Sequence, residues 1–158
     1  MYNHAPSDYD CPLCRFLRGE DDPIYSRQAD IVYRDEHVTA LMSSHHWTNN
    51  PGNVIVIPNQ HYENIYDLPD ALGAGVFAAA RRVALAMKRA YGCDGTSTRQ
   101  HNEPAGNQDV FHFHLHVFPR YSGDNLYRSD KIYTPPEARQ PYAEKLRAAF
   151  ELKDPPSL

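Results

Sequence analysis

No uninterrupted apolar run in this sequence approaches the ~20 residues that a membrane-crossing helix needs, so no span is expected. The opening residues, Met1-Tyr2-Asn3-His4-Ala5-Pro6, lack both the basic start and the apolar stretch of a secretion signal, and a cytoplasmic location is expected. Excess basic charge is missing too. A formal net charge of -4 and a sequence pI ≈ 6.1 argue against bulk nucleic-acid binding, while leaving room for a local pocket that holds a phosphate. No repeat, low-complexity segment or linker divides the chain. Its 158 residues, 41% of them hydrophobic, suit a single domain over 1–158 with its core near 10–121 and a C-terminal helix and tail over 134–158.

Cysteine is scarce, and its three copies are an odd number. A disulfide framework is therefore a poor explanation for Cys11-Pro12-Leu13-Cys14, and metal or redox chemistry is favoured. A thioredoxin-like motif would need a strand before it, and nothing before Cys11 reads as one. Cys93 is taken as a reduced surface thiol.

Ile31-Val32-Tyr33 and Val38 to Met42 predict a hairpin around the polar turn Arg34 to His37. Ser43 to Asn53 reads as a loop by its turn residues, and Val54 to Ile57 as a strand buried on both faces and stopped by Pro58. From Leu68 apolar residues recur at Leu72, Val76, Ala80, Val83, Met87 and Tyr91, which predicts a helix with Asp67 as N-cap and Gly92 as C-cap. Thr96 to Gln100 is a further strand, and Pro141 to Glu151 a second, shorter helix with Tyr142, Leu146 and Phe150 along one side. The tail Asp154 to Leu158 is expected to be loose. Strands around one central helix indicate an α+β domain on an antiparallel sheet.

The segment Val110-Phe111-His112-Phe113-His114-Leu115-His116-Val117-Phe118-Pro119 carries the chemistry. In a strand, alternate side chains share a face. His112, His114 and His116 then line one side, about 7 Å apart along the strand, while Phe111, Phe113, Leu115 and Val117 pack on the other. A one-residue slip would expose the hydrophobes, so the register is fixed. Isolated histidines (His4, His37, His45, His46 and His101) are assigned structural roles. Three in strict alternation admit two chemistries: joint ligation of a metal, or a nucleophile whose neighbours bind and protonate an oxyanion. The preceding segment Asn102 to Asp109 is rich in Gly, Asn and Gln, which suits a loop presenting amides to phosphate oxygens.

His112-Phe113-His114-Leu115-His116-Val117-Phe118 resembles the H-φ-H-φ-H-φ-φ signature of the histidine triad (HIT) family. Pro51-Gly52-Asn53-Val54-Ile55-Val56-Ile57-Pro58-Asn59-Gln60-His61 resembles that family's G-H-x-L-V-I-P-x-x-H strand, and Cys11 with Cys14 resembles the cysteine pair of its zinc-bearing members. Ala105-Gly106 precedes the triad as in the family, and the match runs from about Asp10 to Tyr121. The resemblance implies a five-stranded antiparallel sheet with one long central helix, a homodimer whose sheets join, and attack on the α-phosphorus of a nucleotide. By it His114 is the nucleophile and forms a nucleotidyl-imidazole, while His116 binds the phosphate and assists the leaving group. Gly106, Asn107, Gln108 and Asp109 form the phosphate-binding loop, with Gln108's side chain on the nonbridging oxygens. Structural zinc would be held by Cys11, Cys14, His61 and His112.

The resemblance implies dinucleoside polyphosphates or nucleoside phosphoramidates as substrates. Three departures bear on that. Asn53 replaces the histidine after the glycine. Ser43 stands where an acidic residue often meets the ribose, and the 43–50 loop, with His45, His46 and Trp47, has its own character. Asp109 occupies a hydroxyl position, where a carboxylate is unfavourable near phosphate unless it turns away or is protonated. Trp47 and Tyr62 are either base-stacking or core residues. A nucleotide-binding or signalling module without turnover, and a metal-dependent enzyme centred on the histidine row, are the competing readings.

Overall fold

The computed structural model describes residues 2–22 and 24–152; the tail expected to be loose lies outside them. Asp35 starts the fold's first hairpin, its Oδ1 accepting the N–H groups of His37 and Val38 at 2.8 Å each. This side-chain turn joins β1 (Ile31–Arg34) to β2 (Val38–Met42), which pair antiparallel. A short strand β3 (His45–Trp47) follows, then β4 (Val54–Pro58), helix α2 (Asp70–Tyr91), β5 (Gly95–Gln100) and β6 (Leu115–Arg120). Strand β7 (Lys131–Tyr133) and helix α3 (Pro136–Glu151) close the chain, and a six-residue helix α1 (Pro12–Leu17) precedes them all. Five strands form one antiparallel sheet in the order β1-β2-β4-β6-β5, while β3 and β7 pair as a separate ribbon. The α+β architecture with one long helix and a shorter C-terminal helix is as the sequence indicates.

One face of the sheet packs on the helices. Val38, Ala40, Met42, Val54, Val56, Leu115 and Val117 meet Val76, Ala79, Ala80, Val83, Ala86 and Met87 of α2 and Ala143, Leu146 and Ala149 of α3. The periodicity that predicts α2 is the periodicity of its buried stripe. Gly92 ends it at φ 62, the left-handed conformation a glycine adopts without steric cost. The opposite face is covered only at its ends. Leu13 and Phe16 of α1 pack on Leu41 and Ile57 at one end, and Trp47, Phe118 and Leu126 cluster at the other. A helix as short as α1 has no stability of its own; burial of Leu13 and Phe16, worth about 1.5–3 kcal/mol each, holds it down. Between these clusters lies the histidine row.

Five local expectations are corrected. Asp67 does not cap α2, because Pro69 disfavours helical backbone at Leu68 and the helix starts at Asp70. Helix α3 begins at Pro136 and runs through Pro141; Pro141 reads as a helix start, yet the Arg139 network described below holds the turn before it. Ser43 to Asn53 is not wholly loop, since His45–Trp47 forms β3 against β7, a long-range pairing. Cys93 is buried, not at the surface, because it packs into the main core. In addition, helix α1 was not anticipated. It is opened by Cys11, whose Sγ accepts the Cys14 N–H at 3.4 Å.

Candidate functional site

The ladder of β6 begins at Leu115, three residues later than its alternating pattern implies. Pro58 has no N–H to offer across from this stretch, and the Phe113 N–H turns to the Tyr62 carbonyl instead, at 2.6 Å. The alternation survives the loss of pairing: Phe113, Leu115 and Val117 are buried in the main core. On the other face each histidine is held differently.

His112 is fully buried; its Nε2 donates to the Pro58 carbonyl (3.1 Å). A carbonyl only accepts, so the proton sits on Nε2 and the Nδ1 lone pair is free. That Nδ1 lies 3.4 Å from Cys11 Sγ and 3.5 Å from Cys14 Sγ, and His61 Nδ1 lies 3.3 Å from Cys14 Sγ. The four donor atoms lie within 4.8 Å of one another. Ligands on a tetrahedral zinc with ordinary bond lengths sit about 3.6 Å apart for a sulfur–nitrogen pair, so spacing and donor set both fit a closed metal site. Burial and the adjacent Cys11 push the Cys14 thiol up to about 12, against the weaker pull of Arg18. Among the described residues this is the one group of three or more ligating side chains that converges; His112, His114 and His116 do not converge with one another.

His114 Nδ1 donates to the His112 carbonyl at 2.8 Å, leaving its Nε2 lone pair free. His116 follows with a ring-centroid distance of 5.2 Å, closer than the spacing of the backbone alone. Its ring stacks on Phe118 (5.5 Å, 13°) and meets Trp47 edge-on, and its Nδ1 is enclosed without a partner. Burial lowers the pKa of His114, against the pull of the His112 carbonyl and Asp109. Burial also lowers His116 well below its ordinary value, reinforced by His114, Arg99, His101 and Lys131. Both rings are therefore neutral near pH 7.

The loop before the row is held by Gln108. Its Oε1 accepts the Glu103 N–H (2.8 Å), and its Nε2 donates to the carbonyls of Glu63 (2.6 Å) and Val110 (3.1 Å). The amide expected on phosphate is thus committed to backbone, and so are the loop's N–H groups at Gly106, Asn107 and Gln108, which donate to the carbonyls of Glu103 (2.9 Å), Pro104 (3.0 Å) and Glu103 (3.0 Å); the exposed side-chain amide of Asn107 is what remains for an anion. Glu103 and Asn107 take positive φ (62 and 68) around the turn Pro104–Gly106, and the Gly106 carbonyl faces His101 Nδ1 at 2.6 Å. Asp109 turns to Lys131 of β7, 3.3 Å away. Burial acts to raise its pKa, but Lys131 and His114 outweigh that and the pKa is lowered. Its charge is kept and paired.

Asn53 is buried and neither amide atom has a hydrogen-bond partner among the described residues. It lines a cleft of about 240 Å³ with Ser43, His46 and Tyr142. Tyr62 packs on the main core, whereas Trp47 stands beside His116. The sequence reading missed Arg99 and Lys131. Arg99 is brought beside the row by the β5–β6 register, in which it pairs with His116, and Lys131 by the β3–β7 ribbon. Neither carries a local signal.

Residues 26–123 match the HIT domain family model. The curated protein hit of Bacillus subtilis is 35% identical over 117 residues, 73% of this chain and 75% of that protein. A HIT-like protein of Bartonella henselae, described as involved in cell-cycle regulation, superposes with a TM-score of 0.77 at 32% identity, covering 92% of this chain and 99% of that one. A zinc-bound histidine triad family protein of Mycobacterium smegmatis superposes with a TM-score of 0.73 at 30% identity, covering 89% and 93%. With that coverage, and with the alternating histidines seated on the matched sheet, the chain belongs to the HIT family of nucleotide-binding and hydrolase-type proteins.

Proposed function

We propose that the protein is a nucleotide hydrolase or nucleotidyl transferase that works through His114. One observation carries this reading: His114 is buried and neutral, with Nδ1–H tied to the His112 carbonyl and Nε2 left as a free lone pair beside His116. Fixing the tautomer in this way prepares a nucleophile without a separate base. Nε2 attacks the α-phosphorus of a nucleotide and forms a P–N bond while the bond to the leaving atom breaks with its electron pair. The negative charge of a bound substrate raises the basicity of His116, which then carries a second ring proton and donates it to that atom when the leaving group needs one, returning to the neutral ring. Water then adds to phosphorus, losing a proton to His116, and the P–N bond breaks to release a nucleoside monophosphate and neutral His114. The exposed side-chain amide of Asn107, at the tip of the Gly106 to Asp109 loop, would stabilise the nonbridging oxygens. A relative in Arabidopsis thaliana, 25% identical over 123 residues, bears the name adenylylsulfatase, which agrees with cleavage next to an α-phosphate.

Cys11, Cys14, His61 and His112 would hold zinc in a filled tetrahedral site, where the ion ties α1 to the sheet and supplies no catalysis. The unpaired edge of β5 is the surface through which a second copy would extend the sheet. Rapid quenching of the protein with a dinucleoside polyphosphate labelled at the α-phosphate tests the reaction. Acid-labile label on His114, absent in His114→Asn, is the expected result. Turnover with no label on His114 would overturn it. Nucleotide binding without turnover would favour a binding module, the reading to which the occupied Gln108 amide lends itself. Metal analysis should find one zinc per chain, lost in Cys11→Ser.

A further inference from the structure

Arg99 is the cation beside the histidine row that has no anionic partner among the described residues. It pairs with His116 across β5 and β6, and directly paired residues in a sheet share a face with side chains about 5 Å apart. Its guanidinium lies over the rings of Trp47 (4.5 Å) and Phe118 (4.9 Å), the same two rings that enclose His116. Among the described residues it makes no ion pair or hydrogen bond, and its Nε is buried without an acceptor. The acids nearby are otherwise engaged: Asp109 with Lys131, Asp124 with Arg120, Glu103 with Tyr66 and His4. A buried donor without an acceptor is costly, and stacking on two rings fixes the planar fork while leaving its donating edge free.

We propose that Arg99 binds an anionic group on the leaving portion of the substrate, beyond the phosphorus attacked by His114, and so selects phosphoanhydrides or sulfate anhydrides over phosphoramidates with a neutral amine. The inference rests on the reading of His114 as nucleophile. His116 adjoins His114 on one side and pairs across the sheet with Arg99, so a leaving group that departs past His116 would meet the guanidinium. His116 protonates a leaving atom only as imidazolium and is neutral once it has done so. The permanently charged Arg99 stabilises a second phosphate or a sulfate as its oxygen accepts the electron pair of the breaking P–O bond.

Two variants test it: Arg99→Met, which keeps the apolar stem, and Arg99→Lys, which keeps charge without the fork. The readout is the ratio of kcat/KM on diadenosine tetraphosphate to that on adenosine 5′-phosphoramidate. Arg99→Met should lower this ratio by about tenfold to a hundredfold, the loss expected for a hydrogen bond to a charged group, and Arg99→Lys should lower it less. An unchanged ratio overturns the proposal. So does dissociation of an oligomer in Arg99→Met by light scattering, which would make Arg99 a partner contact. Calorimetry with ADP and AMP supplies a readout independent of chemistry. ADP should bind the wild type more tightly than AMP, and Arg99→Met should erase that difference. If the wild type turns over neither nucleotide yet shows this difference, the reaction reading fails and the anion contact stands. If ADP and AMP bind the wild type alike, the anion contact fails.

Discussion

Replacing Arg139 with methionine should destabilise the fold by about 3–5 kcal/mol, the cost of removing one partner from a buried ion pair. Arg139 on α3 is 1% exposed and Asp30 is 0% exposed. The guanidinium donates Nε to Asp30 Oδ1 (2.8 Å) and Nη2 to Oδ2 (2.7 Å), a bidentate pair, and also reaches the carbonyls of Thr134 (2.7 Å) and Tyr25 (2.9 Å). Methionine preserves much of the buried stem. It leaves Asp30 with the Arg27 N–H at 2.8 Å as its remaining partner, an uncompensated charge in the interior. Replacing both residues, Asp30→Leu with Arg139→Met, removes that charge; the two orphaned carbonyls and the Arg27 N–H remain, and each unmet backbone group costs about 1–3 kcal/mol where water cannot reach it. Urea unfolding of the four proteins should therefore show a double variant less damaged than the sum of the singles, with a coupling of about 2 kcal/mol or more. At about 2–4 °C per kcal/mol for a chain of this size, Arg139→Met alone should melt about 6–20 °C lower. A loss under about 1 kcal/mol, or singles that add, would refute the reasoning. Because Thr134 follows β7, hydrogen exchange in the ribbon that carries His45 and Lys131 should also quicken in Arg139→Met.

Gly52→Ala should cost stability on two grounds: Gly52 sits at φ 86, and an added Cβ would lie 2.7 Å from Tyr142 Cδ1 and 3.0 Å from Tyr91 Cε2; a melting temperature equal to the wild type would contradict this. Gln108→Ala should cost about 1–3 kcal/mol by orphaning the Glu103 N–H and the Glu63 carbonyl, and nucleotide affinity should fall with it as the loop loosens. Retained affinity with unchanged stability would show the amide to be dispensable. His116 has a folded pKa depressed well below its unfolded value near 6.5. Below that unfolded value the unfolded chain takes up a proton that the native ring refuses, so stability present above about pH 6.5 is lost as pH falls toward the folded pKa. The slope is up to about 1.4 kcal/mol per pH unit from this residue, and urea midpoints at pH 7 and pH 5 should converge for His116→Asn relative to the wild type.

Much of the fold is legible in the chain because its elements announce themselves locally. The buried stripe of α2 has a helical period, the β1–β2 turn carries Asp35, and the alternation from Phe113 to Val117 distinguishes a core face from a histidine face. What was misplaced lies where a distant contact outweighs a local preference. Pro141 reads as a start, but the Arg139–Asp30 pair 109 residues apart in sequence holds an earlier turn. His45 to Trp47 looks like loop until β7 offers its backbone.

The candidate site divides along the same line. The sequence by itself determined which donors are present, Cys11, Cys14, His61 and His112, and that His112, His114 and His116 alternate, because period and motif are properties of neighbours along the chain. Only the tertiary structure decided how those side chains are engaged. Pro58's carbonyl sets the tautomer of His112, the His112 carbonyl sets that of His114, Gln108 is drawn into the backbone of its loop, and Arg99 arrives from β5. Each depends on sheet register and chain crossing, and a hydrogen bond between residues brought together only by folding leaves no periodic mark in the sequence.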